Sequence, residues 1–261
     1  MEELRRKVWD FYEREGRDLP WRRAVTPYGV LVSEIMLQQT QVSRVLGRWE
    51  GWLTRWPGLA ELAAAPVAEV LAQWQGMGYN RRALWLREAA GVVVREHGGE
   101  LPRDPAELVR LPGVGPNTAG SIAAFAYEWP AVFIETNIRR VFLHECFGDR
   151  EGVPDSELLP LVEAALDRER PREWYWALMD YGADLAKRVP NPNRRSKHYN
   201  VQSRFEGSVR QVRGAVLRRL LEGPATADGL GIDDERLVVV LAALVRERFV
   251  VERDGQYWIA D

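Results

Sequence analysis

The stretch Leu111-Pro-Gly-Val-Gly-Pro-Asn-Thr118 decides how the rest of this sequence is interpreted. A short helix is predicted before it, from Pro105 to Leu108, and a second helix of small and apolar residues is predicted after it, from Thr118 to Phe125. Gly113 and Gly115 have no side chains, so a partner's backbone can come close, and the N–H groups that begin the second helix can bind an anion. A phosphodiester group fits such a hairpin, although an ordinary turn between two helices has the same pattern.

The composition indicates a protein that folds alone in a reducing compartment. The chain has 261 residues, of which 46% are hydrophobic, and its single cysteine cannot form an internal disulfide. No apolar run approaches the roughly 20 residues that cross a bilayer. We expect a monomer in the cytoplasm, associated with the nucleoid and not with a membrane.

Several kinds of chemistry find no support in the sequence. Cys146 and the three histidines do not have a metal-ligand spacing, and neither a Walker A motif nor a dinucleotide fingerprint is present. No metal is therefore expected, and no cofactor apart from a monovalent cation that the hairpin could hold. Basic residues are concentrated between Lys187 and Arg219, a run that indicates either a solvated or a phosphate-facing segment.

A long helix is predicted from Gly29 to Arg48, with Glu34, Gln38 and Gln41 as a polar stripe on an otherwise apolar surface. The spacing alone favours a surface or salt-bridged acid for Glu34. Tyr79 follows a glycine hinge and precedes two arginines, so it is either a wedge that enters a base stack or a core ring beside a loop.

Glu135 precedes a predicted helix and could be no more than its cap. From about residue 206 the pattern changes to three helices and a hairpin centred on Asp254-Gly255, which is typical of a winged helix. The predicted fold class is mainly α, with a two-lobed helical domain at 1–205 and a small winged-helix-like α+β domain at 206–261. The terminal domain could contact either DNA or a protein.

Chemistry at a nucleobase requires the base to leave the stack, and this sequence contains candidates for each part that such an enzyme needs. The hairpin would anchor a phosphate, Gln38 or Tyr79 would act as the wedge, and Glu34 and Glu135 would supply the carboxyl groups. Hydrolysis of a glycosidic bond uses an acid on the leaving group and an anion near the sugar cation.

The chain resembles the helix-hairpin-helix base-excision DNA glycosylases, and most closely the adenine DNA glycosylases. The resemblance runs from about Phe11 to Leu185. The motifs that carry it are Asp18-Leu-Pro-Trp-Arg22, Ser33-Glu-Ile-Met-Leu-Gln-Gln-Thr-Gln41, Gly76-Met-Gly-Tyr79, Leu111-Pro-Gly-Val-Gly115 and Thr136-Asn-Ile-Arg-Arg-Val141.

The resemblance implies roles for individual residues. Glu34 would protonate the departing adenine and help to activate water, and Glu135 would stabilise the sugar cation. Asn117 stands where relatives with β-lyase activity have lysine, which favours a monofunctional hydrolase. The implied base-pocket residues are Trp21, Arg22, Leu37, Asn117 and Asn137. The implied DNA contacts are Gln38, Gln39, Tyr79, Arg81, Gly113, Gly115, Thr118, Arg194, Arg195 and Lys197.

Three departures from the family pattern stand out. Glu135 replaces an aspartate, and displacement of its carboxylate by about 1 Å can cost on the order of 10²-fold in rate. The four cysteines of an iron-sulfur cluster are missing, and a winged-helix candidate replaces the expected module that reads 8-oxoguanine. We expect a DNA glycosylase that removes adenine mispaired with guanine or 8-oxoguanine. The alternatives are a thymine or uracil glycosylase acting opposite guanine, and a non-catalytic protein that binds damaged DNA.

Overall fold

Helices dominate the computed structural model, which describes residues 1–202 and 204–260. The first helices in chain order are α1 (Glu2–Glu15), α2 (Pro20–Arg23), α3 (Pro27–Leu37), α4 (Val42–Val45), α5 (Arg48–Arg55), α6 (Leu59–Ala64), α7 (Val67–Trp74) and α8 (Arg81–Glu96). They are followed by α9 (Pro105–Leu108), α10 (Pro116–Tyr127), α11 (Thr136–Cys146), α12 (Asp155–Ala165), α13 (Pro171–Arg188), α14 (Val209–Glu222) and α15 (Leu237–Arg246). The predicted mainly α fold class is confirmed.

The chain forms two compact units, each made of two separate segments. Met1–Ile35 and Glu100–Val201 form the first unit, and Met36–Gly99 joins the residues from Gln202 onward in the second. The division into domains at 1–205 and 206–261 stays a prediction, because the units follow spatial contacts and not a single cut in the chain. Among the described residues, no helix combines the length and the apolar character that crossing a membrane requires.

The first unit is built on the packing of α13 against α11 and α1. Trp174 and Tyr175 of α13 are fully buried, and the ring of Phe133 lies 4.1 Å from that of Tyr175, centroid to centroid. Gly182 allows the closest approach of α13 to α11, since a Cβ there would lie 2.4 Å from the main-chain oxygen of Asn137. Glycine at position 182 is therefore needed for α13 to pack this closely against the first residues of α11.

The predicted helix from Gly29 to Arg48 is wrong in its length, because α3 ends at Leu37. Glu34 lies on this helix, whereas Gln38 and Gln41 come after its end. The predicted polar stripe on one helical face therefore does not exist.

Two features of the second unit account for the end of α3 at Leu37: the backbone conformation of Gln39 and the hydrogen bonds of Arg82. Gln39 has a φ of +53°, a left-handed conformation that a continuing α-helix cannot contain. The buried guanidinium of Arg82 donates hydrogen bonds to the carbonyl oxygens of Met36, at 3.0 Å, and of Gln38. Arg82 thus satisfies main-chain acceptors at the end of α3 that the helix leaves unpaired.

The C-terminal segment has the order of elements predicted for a winged helix. Strands β1 (Val250–Arg253) and β2 (Gln256–Ile259) pair antiparallel, with Val250 opposite Ile259. Asp254 and Gly255 both have positive φ, as a two-residue type I′ hairpin turn requires. One of the three helices predicted in this segment is shorter than expected, since Asp228–Leu230 forms only a turn of 3₁₀-helix.

Candidate active site

Glu34 projects from α3 within the first unit and is bonded to a serine of α10. The hydroxyl of Ser121 lies 2.5 Å from the Oε2 atom of Glu34 and 3.0 Å from the main-chain oxygen of Thr118. A hydroxyl has one proton to donate, so Ser121 can serve either acceptor. When Glu34 is ionised, the Ser121 proton stabilises the carboxylate. When Glu34 is protonated, Ser121 can accept from the acid and donate to Thr118.

Glu34 is poised between its two protonation states at neutral pH. Burial raises the pKa of its carboxyl group to about 7, with a further upward contribution from the negative charge of Glu135. The Ser121 hydrogen bond and the positive charge of Arg22 act in the opposite direction. A carboxylic acid with such a pKa can donate a proton at pH 7 and accept one afterwards.

Glu135 caps α11 with its own side chain. Its Oε1 atom accepts hydrogen bonds from the main-chain N–H groups of Asn137 and Ile138, at 2.7 and 2.9 Å. Burial raises the pKa of Glu135, and the two main-chain hydrogen bonds oppose that rise. The interpretation of Glu135 as a helix cap is thus correct in the structure. The negative charge of its carboxylate also acts on Glu34, whose pKa it raises.

A second layer of polar contacts fixes the start of α11. Asn137 also donates from Nδ2 to the Oε2 atom of Glu135, at 3.3 Å, and accepts from Arg140 at 2.7 Å. The same Nη1 atom of Arg140 donates to the main-chain oxygen of Gly182, at 2.7 Å. The orientation of the Glu135 carboxylate therefore depends on the close contact between α11 and α13.

Arg22 is held by a buried aspartate of α13. Both of its Nη atoms donate to the carboxylate of Asp180, at 2.8 Å, and Arg17 binds the same carboxylate through its side chain and its main-chain N–H. Asp180 is only 2% exposed, so this pairing neutralises a charge that would be costly to bury alone. Trp21, the other residue predicted here, is buried beside Arg22 in α2.

The predicted hairpin is present between α9 and α10. Gly113 has a φ of +77°, which favours glycine, and Gly115 is the exposed N-cap of α10, where an added Cβ would meet open space. The side-chain oxygen of Asn117 accepts from the main-chain N–H of Ile134 at 3.2 Å. Thr118 lies in the first turn of the helix.

One helix thus carries both the hairpin N-terminus and the serine that contacts Glu34. Pro116 begins α10 and Ser121 follows five residues later, which corresponds to about 8 Å along a helix axis. A span of this size is comparable to one nucleotide. The arrangement allows a phosphate at the helix N-terminus while a base lies near the acid.

Several residues predicted to contact the base or the DNA lie in the second unit. Leu37 is the last residue of α3, and Gln38 and Gln39 form the turn that follows it. Tyr79 has a φ of +48° and lies two residues before α8, which begins at Arg81. Non-glycine residues with such angles are uncommon, and they concentrate at functional sites.

The basic loop after α13 is held by hydrogen bonds to main-chain oxygens of α11. The amide of Asn193 donates to the main-chain oxygen of Thr136 at 3.0 Å, and Arg195 donates to that of Leu143 at 3.1 Å. Arg194 and Lys197 are exposed. The DNA contacts predicted for Arg194, Arg195 and Lys197 stay predictions, with Arg195 already bonded to α11.

The donors in this loop do not fit the iron-sulfur cluster that the resemblance implies. Four thiolates hold such a cluster, whereas the chain has Cys146 alone. Within residues 1–202 and 204–260, no group of three or more His, Cys, Asp or Glu side chains is placed to hold a metal ion.

Ser121 and Asp180 are functional candidates that the sequence-based interpretation missed. Each is a polar residue on a helix whose neighbours are apolar, and that contrast was the available signal. Their partners could not be inferred from spacing, since Glu34 is 87 residues from Ser121 and Arg22 is 158 residues from Asp180.

Comparison with known proteins agrees with this site. Residues 32–157 match the family model described as HhH-GPD superfamily base excision DNA repair protein. The chain is 38% identical over 253 residues to the adenine DNA glycosylase of Mycobacterium tuberculosis, an alignment that covers 85% of this chain and 80% of that relative. It is 38% identical over 228 residues to the adenine DNA glycosylase of Mycolicibacterium smegmatis, covering 81% of this chain and 78% of the relative.

A solved structure, that of a thermostable thymine-DNA glycosylase, is also similar. It matches with a TM-score of 0.61 and 25% identity, over 70% of this chain and 87% of that one. The fold, the paired carboxyl groups and the sequence identity lead to one conclusion. The protein is a DNA N-glycosylase of base excision repair, and its chain belongs to the adenine DNA glycosylase family within the HhH-GPD superfamily.

Proposed function

We propose that this protein hydrolyses the N-glycosidic bond of adenine mispaired with guanine or 8-oxoguanine, as a monomer acting on chromosomal DNA in the cytoplasm. The observation that carries the proposal is the carboxyl group of Glu34, whose pKa of about 7 leaves it partly protonated at neutral pH. The relatives that are 38% identical over most of the chain are adenine DNA glycosylases, which supports the choice of base.

Glu34 acts first as an acid and then as a base. It donates its proton to N7 of the extruded adenine, so the bond between C1′ and N9 breaks with the electron pair leaving on a neutral purine. A water molecule then adds to C1′ and gives a proton to the Glu34 carboxylate. A purine benefits from this protonation, whereas a pyrimidine can leave as an anion, so a protonated Glu34 favours adenine.

Glu135 stabilises the sugar cation that forms in between. Its carboxylate accepts hydrogen bonds from two main-chain N–H groups at the start of α11. These bonds hold the carboxylate in one orientation without removing its charge. These two hydrogen bonds offer a physical reason why glutamate can serve where the family pattern has aspartate.

The protein works as a hydrolase without β-lyase activity and without an iron-sulfur cluster. An amine nucleophile is needed for the lyase reaction, and the side chain next to the hairpin is that of Asn117, an amide. The three lysines of the chain are Lys7, Lys187 and Lys197, and none of them belongs to the motifs that carry the site.

A single-turnover assay on a panel of duplexes tests this proposal. The panel contains adenine opposite guanine, 8-oxoguanine, cytosine and thymine, together with thymine and uracil opposite guanine, and alkali reveals abasic sites. We expect adenine release opposite guanine and 8-oxoguanine, and strand cleavage only after alkali. Release of thymine or uracil in preference to adenine would establish the rival specificity, which the thymine-DNA glycosylase likeness favours.

A further inference from the structure

Two neighbouring clefts of the second unit are formed by loops near α3 and α8 together with the C-terminal helix α14. Their volumes are about 510 and 360 Å³. Gln39, Tyr79, Asn80 and Arg210 line both clefts and so form the ridge that separates them. Helix α14 of the C-terminal segment therefore forms part of the surface around Tyr79.

These clefts are strongly positive in a chain whose net charge is −2. The charged side chains among the described residues that line them are all arginines: Arg44, Arg81, Arg82, Arg210, Arg213 and Arg218. Nearby, Glu247 pairs with Arg213 at 2.7 Å and with Arg81 at 3.6 Å, so one carboxylate is shared by two guanidinium groups. The clefts keep a net positive charge and suit a polyanion.

Arg210 fixes the side chain of Tyr79. Its guanidinium donates to the Oη atom of Tyr79 at 2.8 Å and lies 5.3 Å from the ring centroid. The guanidinium of Arg82, on α8, lies 5.6 Å from the centroid of the same ring. Two arginines and a strained backbone, with a φ of +48°, therefore hold Tyr79 in one position at the junction of the clefts.

The first turn of the helix that would read DNA in a helix-turn-helix arrangement carries only apolar side chains. In this C-terminal segment it is α15, the second helix of the motif. Its exposed side chains include Val238 and Val239, which are 73% and 71% exposed, and neither can bond a phosphate or a base edge. Three of the arginines that line the clefts, Arg210, Arg213 and Arg218, lie instead on α14.

We propose that α14 is a DNA-binding element of this glycosylase and that Arg210 and Arg213 bind phosphodiester groups of the duplex beside Tyr79. Guanidinium groups suit phosphate oxygens because their planar N–H groups can bond two oxygens at once. This proposal requires only that the protein bind duplex DNA. It does not depend on which base the enzyme removes.

The salt dependence of duplex binding by the full chain tests this proposal. Each protein–phosphate contact contributes about 0.9 to the slope of log K against log salt concentration. We expect Arg210→Ala and Arg213→Ala each to reduce the magnitude of that slope by roughly this amount. Arg213→Lys, which retains the charge, should keep the wild-type slope, and a melting curve of each variant checks that it is folded.

Two controls separate this role from others. Arg246→Ala removes an exposed arginine of α15 that lines neither cleft, and it should leave the slope unchanged. Tyr79→Phe removes the hydroxyl that Arg210 binds, so it should weaken binding without changing the slope. Wild-type slopes in both Arg210→Ala and Arg213→Ala, or an equal loss in Arg246→Ala, would overturn the proposal.

Discussion

At the scale of single residues, Glu34 combines an unusual pKa with a specific partner. Burial favours the protonated acid, while the Ser121 hydroxyl and Arg22 favour the carboxylate. Because the proposed reaction starts from the protonated form, base release should be fastest below pH 7 and fall about tenfold per pH unit well above it. Ser121 then acts as a positioning residue, which both orients the acid and tunes it.

Ser121→Ala tests this role of the serine. Loss of a hydrogen bond that stabilises the carboxylate raises the pKa of Glu34, so the alkaline limb of the single-turnover rate should move to higher pH. Ser121→Thr keeps the hydroxyl and should keep the limb in place. An unchanged limb in Ser121→Ala would mean that the serine does not act on Glu34 in solution.

Glu135→Asn separates the cap of α11 from the charge near the sugar. Asparagine is a good N-cap, so the free energy of unfolding should change by less than about 1 kcal/mol. Loss of the negative charge should lower the single-turnover rate by on the order of 10²-fold, by comparison with the loss of one stabilising group in other active sites. Melting and kinetics are measured on the same sample. A wild-type rate would leave Glu135 as a cap only.

The roles given to Glu34 and Glu135 stay predictions, but both residues could be selected as candidates from the sequence alone. Glu34 and Glu135 are acids in apolar or helix-capping contexts, and such contexts can be recognised locally. Ser121 and Asp180 could not be identified, because their importance comes from partners that only the folded chain brings close.

At the scale of elements, hydrophobic periodicity failed to predict the end of α3. Apolar residues continue at helical spacing past Leu37, whereas the helix ends there. The cause is Arg82, whose guanidinium donates hydrogen bonds to the main-chain oxygens of Met36 and Gln38. Arg82 is 46 and 44 residues from these two acceptors in the sequence. No local pattern contains that information. The hairpin around Asp254-Gly255 was predictable because its turn chemistry is local.

Gly182→Ala tests the contact between α13 and α11. The added Cβ would lie 2.4 Å from the main-chain oxygen of Asn137, so α13 must move and disturb the Arg140 and Glu135 contacts. Overpacking of this kind costs about 1–3 kcal/mol in the free energy of unfolding, and the single-turnover rate should fall as well.

Gly214→Ala is the matched control for that substitution. Gly214 also lies inside a helix, α14, but a Cβ there meets open space. Alanine at such a position should stabilise the protein by about 0.4–1 kcal/mol. Equal melting temperatures for the two variants would contradict the packing argument.

At the scale of the whole molecule, direct hydrogen bonds hold the basic loop after α13 against α11. Asn193 and Arg195 bond to main-chain oxygens of Thr136 and Leu143, and Val153 bonds to Arg195 in return. We predict that the purified protein contains no stoichiometric iron and keeps its glycosylase rate after treatment with a chelator. Metal analysis beside the single-turnover assay checks both points. Loss of activity that iron and sulfide restore would contradict the prediction.

The structure of a trapped complex tests the central claim most directly. The Glu34→Gln variant would be crystallised with a duplex containing adenine opposite 8-oxoguanine. We predict that the adenine is extruded, that its N7 lies within hydrogen-bonding distance of the side chain at position 34, and that its phosphate contacts the main chain at the start of α10. An adenine that stays stacked in the duplex, or a hairpin that contacts no phosphate, would contradict this mechanism.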